Sequence, residues 1–292
     1  MNALKTGHSF DNRLSSPIRA ALRLVAYIVL TTVLLPIQIL AVLSCTRLSK
    51  FTPIIYHRIC AWIFGFQIRT YGSPSQTHPT LFVSNHVSYM DITVLGSLLN
   101  ASFIAKAEIL KWPLFGQLAK LNRTVFVQRR SPRAAEQRDE ISRRLSSGDS
   151  LILFPEGTSA DGLHVLPFKS SLFSVAESRR KSDPLVIQPV SISYTHLDGI
   201  PLNRFLLPHF SWYGEMTMIP HFFKFIGLGW VTVDVKFHAP VMNYQFENRK
   251  AISEYCHRVV SAGASRSNVS CLVLSGSGAA EEDLDKIGKA NS

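Results

Sequence analysis

Two polar runs in this chain each follow an apolar, strand-like stretch: "SNHVSYMD" (Ser84 to Asp91) after "TLFV", and "PEGTSADG" (Pro155 to Gly162) after "LILF". The first holds His86 and Asp91, five residues apart, a spacing that a strand-to-helix turn folds into a hydrogen-bonded pair. A carboxylate on one ring nitrogen fixes the imidazole tautomer and stabilises its charged form. The other nitrogen can then take a proton from a hydroxyl. The plain alternative is a core or capping histidine beside a first-turn acid that favours the helix dipole. The second run has its own plain alternative, a surface turn, since Pro, Gly, Asp and Ser are turn formers. Taken singly, neither run decides.

Other chemistries are thinly supported. No Gly-x-Ser-x-Gly elbow is present, so a covalent nucleophile is not indicated. His86, Asp91 and Glu156 together are one imidazole and two carboxylates, the makings of a metal-dependent hydrolase site. Neither His-x-x-x-His nor cysteine spacing accompanies them, and no metal is expected.

The elements around these runs alternate. Strand-like "TLFVSN", "SFIAK", "TVFVQR", "SLILF", "LVIQPVSISY" and "VTVDVKF" are interspersed with helical "ITVLGSLL", "ILKWPLFGQLAKL", "SPRAAEQRDEISRRLSSG", "SLFSVAESRR" and "RKAISEYCHRVVS". Such alternation predicts an α/β fold, a central mixed or mostly parallel sheet flanked by helices. Ligands in such folds collect beyond the carboxyl ends of strands, where both polar runs lie.

The bulk numbers point to a lipid environment. Of 292 residues, 46% are hydrophobic and 17% charged, and 31 Lys and Arg against 20 Asp and Glu leave a net charge of +11. Mean hydropathy is +0.13. A basic, apolar chain without zinc-finger or RNA-binding motifs fits a membrane better than nucleic acid, and no nucleic-acid partner is expected. Cys45, Cys60, Cys256 and Cys271 show no paired spacing, consistent with buried thiols in a reducing compartment.

Leu24 to Cys45 carries no charge, over about the 20 residues that a bilayer requires. Phe51 to Phe66 reads as a second helix, lying in or against the membrane rather than crossing it. The expected organisation is therefore an N-terminal membrane-binding helix region over residues 1–70, a catalytic α/β domain over 71–261 and a flexible tail over 262–292.

Taken together, the blocks resemble one family. "NHVSYMD" matches the H-x4-D signature, and "FPEGT" the second signature, of the glycerolipid acyltransferases. These include the 1-acylglycerol-3-phosphate acyltransferases. The resemblance continues through "KAEILKWPLFG", "TVFVQR" and "VIQPVSISY", in the family's order.

It implies that His86 is the general base on a lysolipid hydroxyl, oriented by Asp91. The acyl group would come from the thioester of acyl-CoA or acyl carrier protein, used as co-substrate, with no cofactor. Glu156, Gly157 and Thr158 would hold the acceptor's polar head, and Gly157 would let backbone approach substrate without a Cβ. Lys106 and Arg129 match basic positions suited to an anionic head group. Lys169 matches a lysine common after the glutamate block, and a solvated surface lysine explains it equally well. Asn85 and Ser88 would support the turn.

One position departs from the pattern. Phosphatidate-forming members usually carry arginine after Glu-Gly-Thr, and position 159 here is serine. A hydroxyl replaces neither the charge nor the two-pronged geometry of a guanidinium. The variant resembles the bacterial enzymes that acylate lyso-ornithine lipid, a resemblance that the aromatic stretch from Trp212 to Trp230 shares. The implied site of action is the bacterial inner membrane, with the active site on or near the cytoplasmic face. Two readings stay open beside it: phosphatidic acid synthesis, and a non-catalytic, membrane-anchored protein that binds lipid or acyl carrier.

Overall fold

The computed structural model describes residues 14–46, 48–112, 115–127, 134–179, 183–203 and 205–274. Arg129 lies outside these residues.

The described chain opens with two helices, α1 (Pro17–Leu43) and α2 (Leu48–Phe64), and then enters the sheet at β1 (Phe66–Tyr71). The sheet continues through β2 (Thr80–Ser84), α3 (Asp91–Leu98), β3 (Ser102–Lys106), α4 (Phe115–Leu121), β4 (Val125–Val127), α5 (Ala134–Ser146) and β5 (Leu151–Leu153). After α6 (Ser174–Ser178) come the long β6 (Val186–Leu197), β7 (Ile200–Pro201), α7 (Leu207–Phe210) and α8 (Met218–Ile226). The described chain closes with β8 (Val231–Phe237), β9 (Val241–Met242) and α9 (Arg249–Leu274).

The strands form one mixed sheet in the order β1-β8-β6-β2-β5-β3-β4, with β7 and β9 pairing β6. Pairing is parallel from β6 through β2, β5 and β3 to β4. It turns antiparallel between β6 and β8.

The sheet is covered on both faces, which explains why β2 is buried at every position and reads as a continuous apolar run. Alternate side chains serve opposite cores. Phe82, Ile152 and Ile192 pack with Cys60 of α2, Leu95 of α3 and Phe225 of α8. Leu81, Leu153 and Ile187 pack with Leu145 of α5, Val175 of α6 and Cys256 of α9.

Two expected boundaries move. β1 falls partly inside the expected anchor region, yet it pairs with β8 along its whole length. Its Phe-Gln-Ile-Arg-Thr-Tyr sequence is mostly exposed beyond Phe66 and gives only a weak strand signal. Helix α9 continues past Ala262 to Leu274; serine and alanine there suggest a loose tail by composition, but no proline interrupts them.

Helix α1 is long and apolar enough to cross a membrane, by length and composition. Ile18, Leu22, Val25, Val29, Val33 and Leu40 are all more than half exposed. On α2 the exposed residues Phe51, Ile55, Ile59 and Trp62 recur every three or four positions, forming one helix face. An apolar surface of this extent is what a membrane would cover.

The other side of α1 is fixed to the α/β body. Arg23 donates to the carbonyls of Ile226 and Leu228 at 3.1 and 2.8 Å, and Ser15 Oγ donates to the Lys224 carbonyl at 2.8 Å. These bonds satisfy carbonyls at the α8 C-terminus and place the guanidinium at the negative end of its dipole. Arg23 thus belongs to the fold, although the sequence suggests only a flank of the apolar run.

Replacing Phe51 and Trp62 together by glutamate should lower flotation with anionic vesicles by more than about tenfold, since each loses a buried aromatic contact with lipid. Circular dichroism should stay unchanged. Wild-type flotation by the double variant would show that this stripe is not the membrane contact.

Candidate active site

β2 and β5 are parallel neighbours, with Val83 opposite Leu153. The loops leaving their carboxyl ends therefore start side by side, which brings His86 and Glu156 together across 70 residues of sequence.

Asp91 opens α3 and has no exposed surface. Its Oδ2 accepts from His86 Nδ1 at 2.8 Å and from the amides of Val87 and Ser88 at 2.7 and 3.0 Å. Its Oδ1 accepts from the Tyr194 hydroxyl at 2.8 Å. The pairing with a carboxylate puts the ring proton on Nδ1 and leaves Nε2 as the nitrogen that a substrate can meet. One imidazole face lies on Phe154, with ring centres 4.2 Å apart and planes 17° from parallel.

Glu156 is 1% exposed, and both of its oxygens are occupied. Oε1 accepts from the His86 amide at 2.7 Å, and Oε2 from the Leu166 amide at 2.9 Å. Burial pushes the carboxyl up to about 8, against the opposing pull of those two amides. Glu156 thus stands behind His86 and holds its backbone. Further bonds knit three loops: the Ala160 amide to the His86 carbonyl at 2.8 Å, and the Trp212 amide to the Val87 carbonyl at 3.1 Å.

The other expected site residues spread outward. Gly157 turns the loop at a φ of +65°, a conformation that favours glycine. Thr158 is exposed beside it. Ser159 is buried and donates its hydroxyl to the Trp212 carbonyl, so it closes the loop. Lys106 ends β3 half-buried. Lys169 is exposed, and its amide closes the loop onto the Pro155 carbonyl at 2.9 Å. Asn85 exchanges two hydrogen bonds with the Ile192 backbone, at 2.8 and 3.0 Å, tying the end of β2 to β6.

Two residues went without a role in the sequence reading, Tyr194 and Phe154. Both sit inside blocks quoted for the family resemblance, and that membership was the available signal. Among the described residues, no group of three His, Cys, Asp or Glu side chains is arranged to hold a metal ion. Glu156 in particular spends both oxygens on main-chain donors.

His86 forms part of the wall of an apolar cavity of about 260 Å³. Tyr27 and Leu35 of α1, Tyr56 of α2, and Ile92, Phe103 and Trp212 of the α/β body also line it. An imidazole in the wall of a greasy cavity suits a reactant that carries an alkyl chain and a hydroxyl or carbonyl group.

Comparison with known proteins agrees. The sequence profile named Acyltransferase matches residues 67–193. A lyso-ornithine lipid O-acyltransferase of Brucella abortus is 40% identical over 240 residues, covering 81% of this chain and 90% of its own. The chain belongs to the acyltransferase family.

A lyso-ornithine lipid O-acyltransferase of Rhizobium meliloti is 36% identical over 81% of this acyltransferase and 82% of its own length. In fold, the acyltransferase is similar to the crystal structure of the 1-acyl-sn-glycerophosphate acyltransferase from Thermotoga maritima. That match has a TM-score of 0.59 at 22% identity and covers 85% of this chain and 96% of the other.

Glu156 gives the acyltransferase a pH-dependent stability. Its carboxyl is raised from 4.5 to about 8 in the folded state, so the native protein holds the proton more tightly than the unfolded chain. The contribution is fully present below about pH 4.5 and is lost as pH rises to about 8, on the order of a few kcal/mol. Melting temperature should fall across that window in wild type and less steeply in Glu156→Gln. Parallel curves would remove Glu156 as the cause.

Proposed function

We propose that this enzyme is a membrane-bound lysolipid O-acyltransferase whose acceptor is lyso-ornithine lipid, working at the cytoplasmic face of a bacterial inner membrane. The carrying observation is the His86 imidazole, pinned by a fully buried carboxylate at 2.8 Å and set in the wall of an apolar cavity.

In this reading the lysolipid hydroxyl gives its proton to His86 Nε2 as its oxygen attacks the thioester carbonyl of acyl-CoA or acyl carrier protein. Asp91 offsets the charge that forms on the ring. The carbon–sulfur bond then breaks, and the imidazolium returns the proton to the leaving sulfur. The new bond is an ester and the by-product a free thiol. No acyl-enzyme is required, and neither cofactor nor metal enters. Arg129 and Lys106 are proposed to attract anionic groups of the reactants, with Thr158 and Lys169 at the rim.

Acceptor choice rests on position 159. Ser159 offers no positive charge, and its hydroxyl is already given to the Trp212 carbonyl. The proteins from Brucella abortus and Rhizobium meliloti, similar over most of this chain, carry the lyso-ornithine name. The second reading is 1-acylglycerol-3-phosphate as acceptor, the commonest in the family.

Purified enzyme offered both lysolipids with one acyl donor should esterify lyso-ornithine lipid in preference. Exclusive turnover of 1-acylglycerol-3-phosphate would overturn the acceptor assignment. His86→Ala should lose activity on either acceptor by at least about a hundredfold, the low end for a general base, with its fold intact by circular dichroism. Full activity in that variant would remove His86 as the base.

A further inference from the structure

We propose that α8 is a second membrane contact, with Ile219 and Phe223 seated among the acyl chains of the bilayer that also covers α1. The proposal rests on the membrane-bound reading above and adds to it a surface outside the two N-terminal helices.

α8 has nine residues, and its sides serve three different neighbours. His221 and Phe225 are buried, and the Phe225 ring packs against Phe66 and Tyr194. Phe222 turns toward the N-terminal helices, its ring centre 6.2 Å from that of Tyr27 and 5.7 Å from that of Phe64. Ile219 and Phe223 are left over, 68% and 44% exposed. A step of two residues turns a helix by about 200°. Phe223 therefore points nearly opposite to His221 and Phe225, away from the sheet. Ile219, two residues before His221, shares that outward side.

This side continues the outer surface of α1. The two helices lie side by side and run in opposite directions: Phe222 meets Tyr27, and the Ser16 amide donates to the Gly227 carbonyl at 2.9 Å. α1 divides its residues in the same way. Tyr27 and Thr31 line the cavity beneath it, whereas Val29 and Val33, again two residues away, are exposed. Both helices thus turn an apolar face outward.

The corner where they meet holds residues typical of a membrane–water boundary. Gly65 lies against Arg23 and the Gly229 carbonyl. Trp230 follows Gly229, and the Trp62 carbonyl accepts from the Gly65 amide at 3.1 Å. Both indoles are exposed, as is Arg19, one turn of α1 before Arg23. Tryptophan and basic residues collect at head-group level because one part of each side chain is apolar and the other hydrated. A second copy of the chain could also cover an apolar helix face. The tryptophans and arginine beside it, and a neighbouring helix of bilayer length, favour lipid. Met218 and Phe222 of the same helix line the cavity that His86 borders, so α8 stands between that cavity and the bilayer.

The test uses the full-length enzyme on vesicles of neutral and anionic phospholipids brominated at different acyl carbons. Ile219→Trp and Phe223→Trp place reporters on α8. Leu22→Trp on α1 is the reference. Glu254→Trp is the control, on the helix α9 that packs against the opposite face of the sheet. The emission that each reporter adds beyond wild type should be quenched at least about twofold at 219, 223 and 22, and not at 254. Bromine near the head group should quench the α8 reporters most, since an interfacial helix sits only about 5–10 Å into the boundary. Ile219→Glu combined with Phe223→Glu should weaken vesicle binding about tenfold, with circular dichroism unchanged.

Quenching at 22 without quenching at 219 and 223 would overturn the proposal and leave the membrane-bound reading standing. Absence of quenching at all three would overturn both. Wild-type vesicle binding by the glutamate pair, with self-association in detergent lost, would assign this face to a second copy of the chain and overturn the proposal.

Discussion

A carboxylate with no exposed surface is stable in a protein interior only when donors replace the water it has lost. Asp91 has four: two main-chain amides, a tyrosine hydroxyl and the His86 ring. They come from two constraints. The amides of Val87 and Ser88 require the β2-to-α3 loop to curl back on the first residue of the helix. Tyr194 requires β6 to lie beside β2 in register, which the parallel pairing of Val83 with Pro189 and Ser84 with Val190 provides. With those donors in place, the buried carboxylate is fully hydrogen-bonded and can orient an imidazole. Without them it would lie buried and unsatisfied, and the histidine would lose its place.

Glu156 serves the same end from the neighbouring strand. Its side chain joins two backbones, at His86 and Leu166, and so fixes the loop that carries the base to the loop that follows β5. Phe154, two residues earlier, covers the face of the same imidazole. One loop thus braces the histidine from behind and from one side. The ring also forms part of the wall of the apolar cavity.

Much of this was legible in the sequence, for a physical reason. A strand covered on both faces must be apolar at every position, so β2 and β5 announce themselves, and the polar residues at their ends stand out. The mixed α/β sheet follows from that contrast, while the His86–Asp91 pair was singled out only by the family resemblance of its block. Other features leave weaker traces. β1 is exposed along most of its length and lacks an apolar pattern. Tyr194 reads as one more large residue in a buried strand, since its hydroxyl matters only through a partner 103 residues away. Glu156 illustrates a different limit. Residue type shows that a carboxylate is needed at the loop, while only geometry distinguishes a contact to substrate from a brace on the backbone. Ser159 is similar: its lack of charge is visible in the sequence, and its bond to the Trp212 carbonyl is not.

Helix α1 joins the anchor to the chemistry. Along most of its length its exposed residues are apolar, and a helix held only by grease is free to rotate about its axis. Two polar side chains prevent this. Arg23 binds carbonyls at the end of α8, and Gln38, four turns further along at 3.6 residues per turn, binds the carbonyls of Ser49 and Leu121. A hydrogen bond misplaced by a rotation of the helix would leave buried donors and carbonyls unmatched, so these bonds set one rotational position. That position fixes which residues of α1 are exposed and which line the cavity. A change in α1 that preserved its hydropathy but moved Gln38 would therefore alter the cavity.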